Sequence, residues 1–381
     1  MIDILNSFKS LIKLEQVHID NNIFKLHYKF TVIIFIVFSA LLTSKQYFGE
    51  PISCDTDDQD RKQLIDMFCW IHGTYIVNKA SKDDLLAQIH NPFDHSIEND
   101  WKNHTKKLMN AITFQSKDEI IWQKYYQWVS IIFCLQALLF YLPRYVWKHW
   151  EGGRMELLVQ DLSGPLVPPK WNQETRERLL KYLMNDNNGH MLYALHYSFC
   201  EVMNLVNVIF QIRLMDWFLG GQFSLYGVTI ATIQNLSPMD KVFPKVAKCM
   251  YYRYGPTSTI ENRDALCVLP LNILNEKFFL ILWIWLHLLA ALTIIFMLYR
   301  CVVMCVPSLR SYLLISHSRY VWCFKVKLMI KTINYGDFFV LDHLGKNLNP
   351  IIFCDIIDDI HRHLQDVQES YKTLPDDVID V

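Results

Sequence analysis

The sequence predicts an all-α membrane protein: a four-transmembrane-helix bundle with two cysteine-bearing extracellular loops and a helical cytoplasmic domain. Three observations predict it. Apolar residues gather in four long blocks separated by charged stretches, each near the roughly 20 residues that a spanning helix needs. Lysine and arginine concentrate before the first block, between the second and third, and after the fourth, and the positive-inside rule assigns those stretches to the cytoplasm. The two remaining stretches hold two cysteines each, Cys54 and Cys69 in one, Cys249 and Cys267 in the other.

The elements follow in order. Residues 1–27 form an N-terminal cytoplasmic segment in which Ile2, Leu5, Phe8 and Ile12 share one helical stripe. The first span, 28–44, is short, and Tyr28, Lys29, Lys45 and Tyr47 can anchor its ends. No small-residue cleavage site follows it, so it reads as an uncleaved signal anchor. Residues 45–125 form the first extracellular loop. The second span, 126–147, contains Pro143, which removes one helix hydrogen bond and marks either a hinge or a static packing bend. The cytoplasmic loop 148–193 carries a helix at 173–184.

In the third span, 194–220, Glu201, Asn204, Asn207 and Gln211 recur on one helical face. Such groups are expensive against lipid, so they read as a polar seam inside the bundle rather than as a water-lined pore face. Residues 221–276 form the second extracellular loop, 277–302 the fourth span, and 303–381 a C-terminal cytoplasmic tail that is helical in parts.

Several function classes fall away. A net charge of −1 gives no field for nucleic acid. The histidines form no HExxH or HxxxH box: His90 with His95 and His361 with His363 stand apart on opposite sides of the membrane. Glu151-Gly152-Gly153-Arg154 is too short for a phosphate loop. No enzyme, cofactor or metal is expected. The four outer cysteines are spaced too widely for a zinc knuckle. They sit in an oxidising compartment, where disulfides are expected, and their residue pattern leaves three connectivities open. The acidic run Asp55, Asp57, Asp58 and Asp60 reads as a solvated loop.

Both sequons, Asn103-His104-Thr105 and Asn235-Leu236-Ser237, fall in outer loops and are candidate glycosylation sites. The C-terminal Val381, with Ile379, could add to a PDZ-type scaffold by β-augmentation.

Ordered segments carry a family resemblance over nearly the whole chain. The stretch 14–54, FCWI at 68–71, YYQWV at 125–129, YLPRYVWKHWEGGRM at 141–155, 243–277 and NYGDFFVLDHLGKNLNP at 334–350 resemble the innexins in order and spacing. The resemblance implies four transmembrane helices with both termini cytoplasmic. It implies rings, with eight subunits expected, that dock with rings in an apposed membrane as gap junctions at the plasma membrane. It further implies two disulfide-linked extracellular loops, with pairs Cys54–Cys267 and Cys69–Cys249. Connexins carry three cysteines per outer loop, and this chain carries two.

Function is then a hole and its lining. The resemblance places the N-terminal segment in the pore mouth and the first span along the pore. Asp3, Asn6 and Lys9 are the lining candidates at the mouth, and Ser44, Lys45 and Gln46 near the outer end. The expected partners are copies of this chain, other innexins and membrane lipid. The rival uses are an undocked hemichannel and a non-conducting subunit that modulates mixed channels.

Overall fold

The computed structural model describes residues 17–56, 59–78, 119–160, 162, 167–169, 171–185, 189–224, 226–227, 242–255, 257–317 and 323–372. Asp3, Asn6, Lys9, the stripe at 2–12, Asp57, Asp58, His90, His95, both sequon asparagines Asn103 and Asn235, and Val381 lie outside them.

Among the described residues, four helices are long and apolar enough to cross a membrane: α1 (Asn22–Phe48), α3 (Val129–Glu151), α6 (Gly189–Phe218) and α7 (Pro270–Cys305). The shortest, α3 with 23 residues, spans about 35 Å at 1.5 Å per residue, enough for a hydrocarbon core of roughly 30 Å. Pro143 sits within α3, which remains one helix through it. In α1 the turn Leu26–Thr31 is a π-helix. The Thr31 hydroxyl there donates to the Leu26 carbonyl at 2.9 Å, across the same five-residue step as the π-turn.

The chain divides into two units. The first comprises residues 1–36, 134–218 and 284–381. It adds α4 (Arg154–Val159), α5 (Gln173–Asn185), α8 (Pro307–His317), α9 (Cys323–Thr332), α10 (Tyr335–Asn347) and α11 (Pro350–Lys372). The helices at 173–185 and in the tail agree with the sequence reading.

Trp147, Tyr197, Phe338, Phe339 and Phe353 are fully buried in its core. Phe339 of α10 packs on Tyr193 and Tyr197 of α6, with ring centroids 5.9 and 5.3 Å apart. Gly336 makes that approach possible, because a Cβ there would lie 2.4 Å from the Met191 backbone nitrogen. The Asn334 and Asp337 side chains form a capping box that starts α10. At Glu151-Gly152-Gly153-Arg154 the glycines take φ of +61° and +78° and turn the chain from α3 into α4. The Glu151 carboxylate accepts the Gly153 and Met155 amides at 2.7 and 2.8 Å, so this turn serves as a helix start.

The second unit, residues 37–133 and 219–283, holds what the loop assignments missed. Its antiparallel sheet has five strands in the order β1-β5-β4-β2-β3: β1 (Ser53–Asp55), β2 (Thr74–Asn78), β3 (Glu119–Gln123), β4 (Val246–Tyr254) and β5 (Ile260–Val268). Helix α2 (Lys62–His72) packs on it through Ile65 and Cys69. The β4–β5 hairpin pairs nine residues from Val246↔Val268 to Tyr254↔Ile260. The fold is mostly helical as expected, and the stretches read as loops contain this sheet.

Two titratable groups in α10 make the first unit acid-sensitive. Burial pushes the His343 imidazole down to about 3 from 6.5. Burial alone would raise Asp342, but hydrogen bonds and charge from His317 and Lys346 hold it below the usual carboxylate range. Both groups bind fewer protons folded than unfolded, so stability rises with pH across these intervals. The contribution is complete above about pH 6.5 and is lost as pH falls, His343 first and Asp342 last. The unfolding midpoint of purified protein should fall between pH 7.5 and 5, and His343→Gln should flatten that fall. An unchanged midpoint across the interval in the parent protein would contradict the assignment.

Candidate functional site

Two buried clusters stand out, one in each unit. In the second unit, Cys54 bonds to Cys267 and Cys69 bonds to Cys249. Cys54 and Cys267 are direct partners in the β1–β5 ladder, so their bond closes the edge of the sheet. Cys69 lies on α2 and Cys249 on β4, so the second bond staples the helix to the sheet face. The Cys54 amide also donates to Asp66 Oδ1 of α2 at 2.7 Å.

All four cysteines are buried, with Ala247 and Ala265 between them. The cluster of Cys54, Cys69 and Cys267 sulfurs within 4.8 Å belongs to two neighbouring disulfides, whose sulfurs are bonded to each other and are not thiolates that a metal could take. The YYQWV motif serves this core. Tyr126 stacks on Trp70 at 4.6 Å, and Tyr125 meets Phe243 at 5.8 Å.

Of the lining candidates among the described residues, Ser44 and Lys45 are exposed and Gln46 is half-buried, all in the last turns of α1. Ser44 and Lys45 continue an exposed stripe on that helix through Phe30, Val37 and Leu41 to Phe48, whereas Gln46 falls off that face. The spacing of three, four and seven residues places these positions on one face, which a single subunit leaves uncovered.

In the first unit, charged groups are buried together. Arg300 of α7 grips Glu201 of α6 through Nε and Nη2 at 3.2–3.3 Å. Asn21, just before α1, donates its side-chain amide to Glu201 Oε1 at 2.9 Å and its backbone amide to the Tyr197 hydroxyl at 3.1 Å. Its neighbour Asp20 accepts from Tyr28 of α1 at 2.9 Å and from Arg144 of α3 at 2.6 Å. The Arg300 guanidinium also lies over the rings of Tyr197 and Phe339, 5.3 and 5.0 Å from their centroids.

Asn347 of α10 donates to the His18 carbonyl at 2.9 Å and accepts the His18 amide. Thus the short segment before the first span is held directly by α3, α6 and α10, and α7 acts on it only through the Arg300–Glu201 pair. Arg144 and Arg300, near the ends of the second and fourth spans, are both buried in ion pairs. Glu201, Asn204 and Gln211 are buried within the bundle, the seam that their spacing indicates.

The disulfides make a sharp prediction. Each bond closes a long loop, and losing one costs about 2–5 kcal/mol. Cys54→Ser and Cys267→Ser should lower the unfolding midpoint equally, and the double variant should be no worse than either. Unequal single variants, or an additive double, would argue against the bond.

Comparison with known proteins agrees with this architecture. The innexin family model matches residues 20–364. The chain is 40% identical to innexin inx2 of Drosophila melanogaster, covering 99% of this chain and 100% of the relative. It is 39% identical to innexin inx2 of Schistocerca americana, covering 96% and 99%. It is 33% identical to innexin shaking-B of Drosophila melanogaster, covering 96% and 95%. With four spanning helices, two disulfides and a family match across almost its whole length, the chain belongs to the innexins, the gap junction channel proteins.

Proposed function

We propose that copies of this chain form a ring, with eight subunits expected, around a wide aqueous pore, and that the ring docks through the disulfide-linked sheet to a ring in an apposed membrane. The observation that carries this reading is the sheet itself. It is built from both stretches flanked by spans one and two and by spans three and four, and two disulfides clamp it. Disulfides form in oxidising compartments, which favours an extracellular sheet. Four crossings then leave both termini in the cytoplasm, in agreement with the positive-inside rule. A clamped sheet is a rigid surface, and rigidity lowers the entropy lost on docking.

The conduit is passive and needs no catalytic step. Ser44, Lys45 and Gln46 are proposed to line its outer part, with Asp3, Asn6 and Lys9 at the cytoplasmic mouth. Pro143 is proposed as a bend at which α3 can adjust.

Paired cells expressing only this chain should show junctional conductance, and Lys45→Glu should shift its reversal potential toward cations. Current confined to unpaired cells would replace docking with hemichannel use. Silence in both, with protein at the surface, would replace self-sufficiency with a modulatory role in mixed rings. An unchanged reversal potential in Lys45→Glu would remove Lys45 from the lining.

A further inference from the structure

From Lys277 to Gly336 the chain contains no aspartate or glutamate. This stretch nevertheless carries Arg300 near the end of the fourth span and, after it, Arg310, Arg319, Lys325, Lys327 and Lys331. Three of these charges are engaged. Arg300 holds Glu201, Arg310 donates to the Val303 and Met304 carbonyls at the end of α7, and Lys325 pairs with Asp358 at 3.0 Å. Arg319 lies outside the described residues. Lys327 and Lys331 are one helical turn apart on α9 and exposed, and neither forms an ion pair among the described residues.

These two lysines line a cavity of about 290 Å³ with Pro307, Ser308 and Ser311 of α8 and the apolar Leu328 and Ile330. Among the described residues, no carboxylate lines it. The first turn of α8, an 11-residue helix, adds positive dipole potential to the same wall. The volume is close to the lower end of the roughly 300–1,000 Å³ found for small-ligand sites.

Its place in the chain indicates the ligand. Pro307 follows α7 by two residues. Val302 and Val306, one turn apart beside the cavity's first residue, are 50% and 41% exposed. An apolar ramp that ends in a cationic hole suits a molecule with an acyl end and a phosphate end.

We infer that the α8–α9 cavity binds the phosphorylated headgroup of an anionic membrane lipid, with Lys327 and Lys331 on the phosphates and Ser308 beside them. Basic pockets next to a span bind such headgroups, and each lysine near the membrane surface adds to the attraction. The site needs only a membrane-spanning chain, so it stands whether or not rings dock.

The test uses purified full-length protein and a fluorescent short-chain phosphatidylinositol bisphosphate, read by anisotropy. Saturable binding should appear, unlabelled phosphatidylcholine should not compete, and Lys327→Gln with Lys331→Gln should weaken binding by about tenfold or more. The double arginine variant should retain binding, as should Lys181→Gln on exposed α5. Equal binding by the double glutamine variant would overturn the site. So would loss in the arginine variant as large as in the glutamine variant. Competition by soluble inositol trisphosphate as effective as that by unlabelled lipid would overturn the lipid assignment in favour of a soluble phosphate.

Discussion

The spanning bundle depends on one buried interaction, the Glu201–Arg300 pair. A carboxylate within a helix of otherwise apolar character must be paired or it expels the helix from its place. Taking each ion out of water costs several kcal/mol even after relaxation, and the attraction between them roughly offsets that cost. The pair therefore contributes position more than stability. Only one rotation and one height of α7 beside α6 bring the guanidinium onto both carboxylate oxygens, and the same placement lays it over Tyr197 and Phe339. Asn21 completes the shell of Glu201, so the chain entering α1 is fixed by a charge centre on two other helices. Asp20 extends this to α3 through Arg144.

That arrangement has a functional consequence. The residues just ahead of Val17 are the ones that the innexin resemblance assigns to the pore mouth, and the segment following them is anchored at His18, Asp20 and Asn21. Its contacts reach α10 through Asn347, and α10 rests on α6 at Gly336 with no room for a side chain. A displacement of the C-terminal helices thus acts directly on the segment leading to the first span. The second unit solves a different problem. A sheet of short strands needs closure at its edges, and the Cys54–Cys267 and Cys69–Cys249 bonds tie its edge strand and its covering helix to the central hairpin.

Much of this was legible in the sequence, for physical reasons. Spans are long runs with a solvent-imposed length, so their apolar blocks were plain, and the seam in the third span followed from helical spacing. The sheet was not legible because its alternation is inverted in size. The inward positions of β4 and β5 are Ala247, Cys249, Ala265 and Cys267, while Val246, Met250, Tyr252, Leu266 and Val268 face outward and exposed. With large apolar residues mixed among Lys248, Asn262 and Asp264 on the outward face and small ones inward, the period-two hydrophobic signal is lost. The charge knot was hidden for another reason. Arg144 and Arg300 stand at span ends, where a basic residue ordinarily marks the cytoplasmic flank, and nothing local distinguishes a flank charge from a partner for a distant Glu201 or Asp20. Gly336 sits in a quoted family segment, but only the backbone of Met191 explains it.

The central claim, that a buried ion pair organises the spanning bundle, is tested most directly by a double-mutant cycle on unfolding of the purified protein. Glu201→Leu and Arg300→Met alone each leave an uncompensated buried charge and should cost about 3–5 kcal/mol. Both together should recover most of that loss, as coupled partners do. If the two losses simply add, Glu201 and Arg300 act independently, and some other contact sets the placement of α6 and α7.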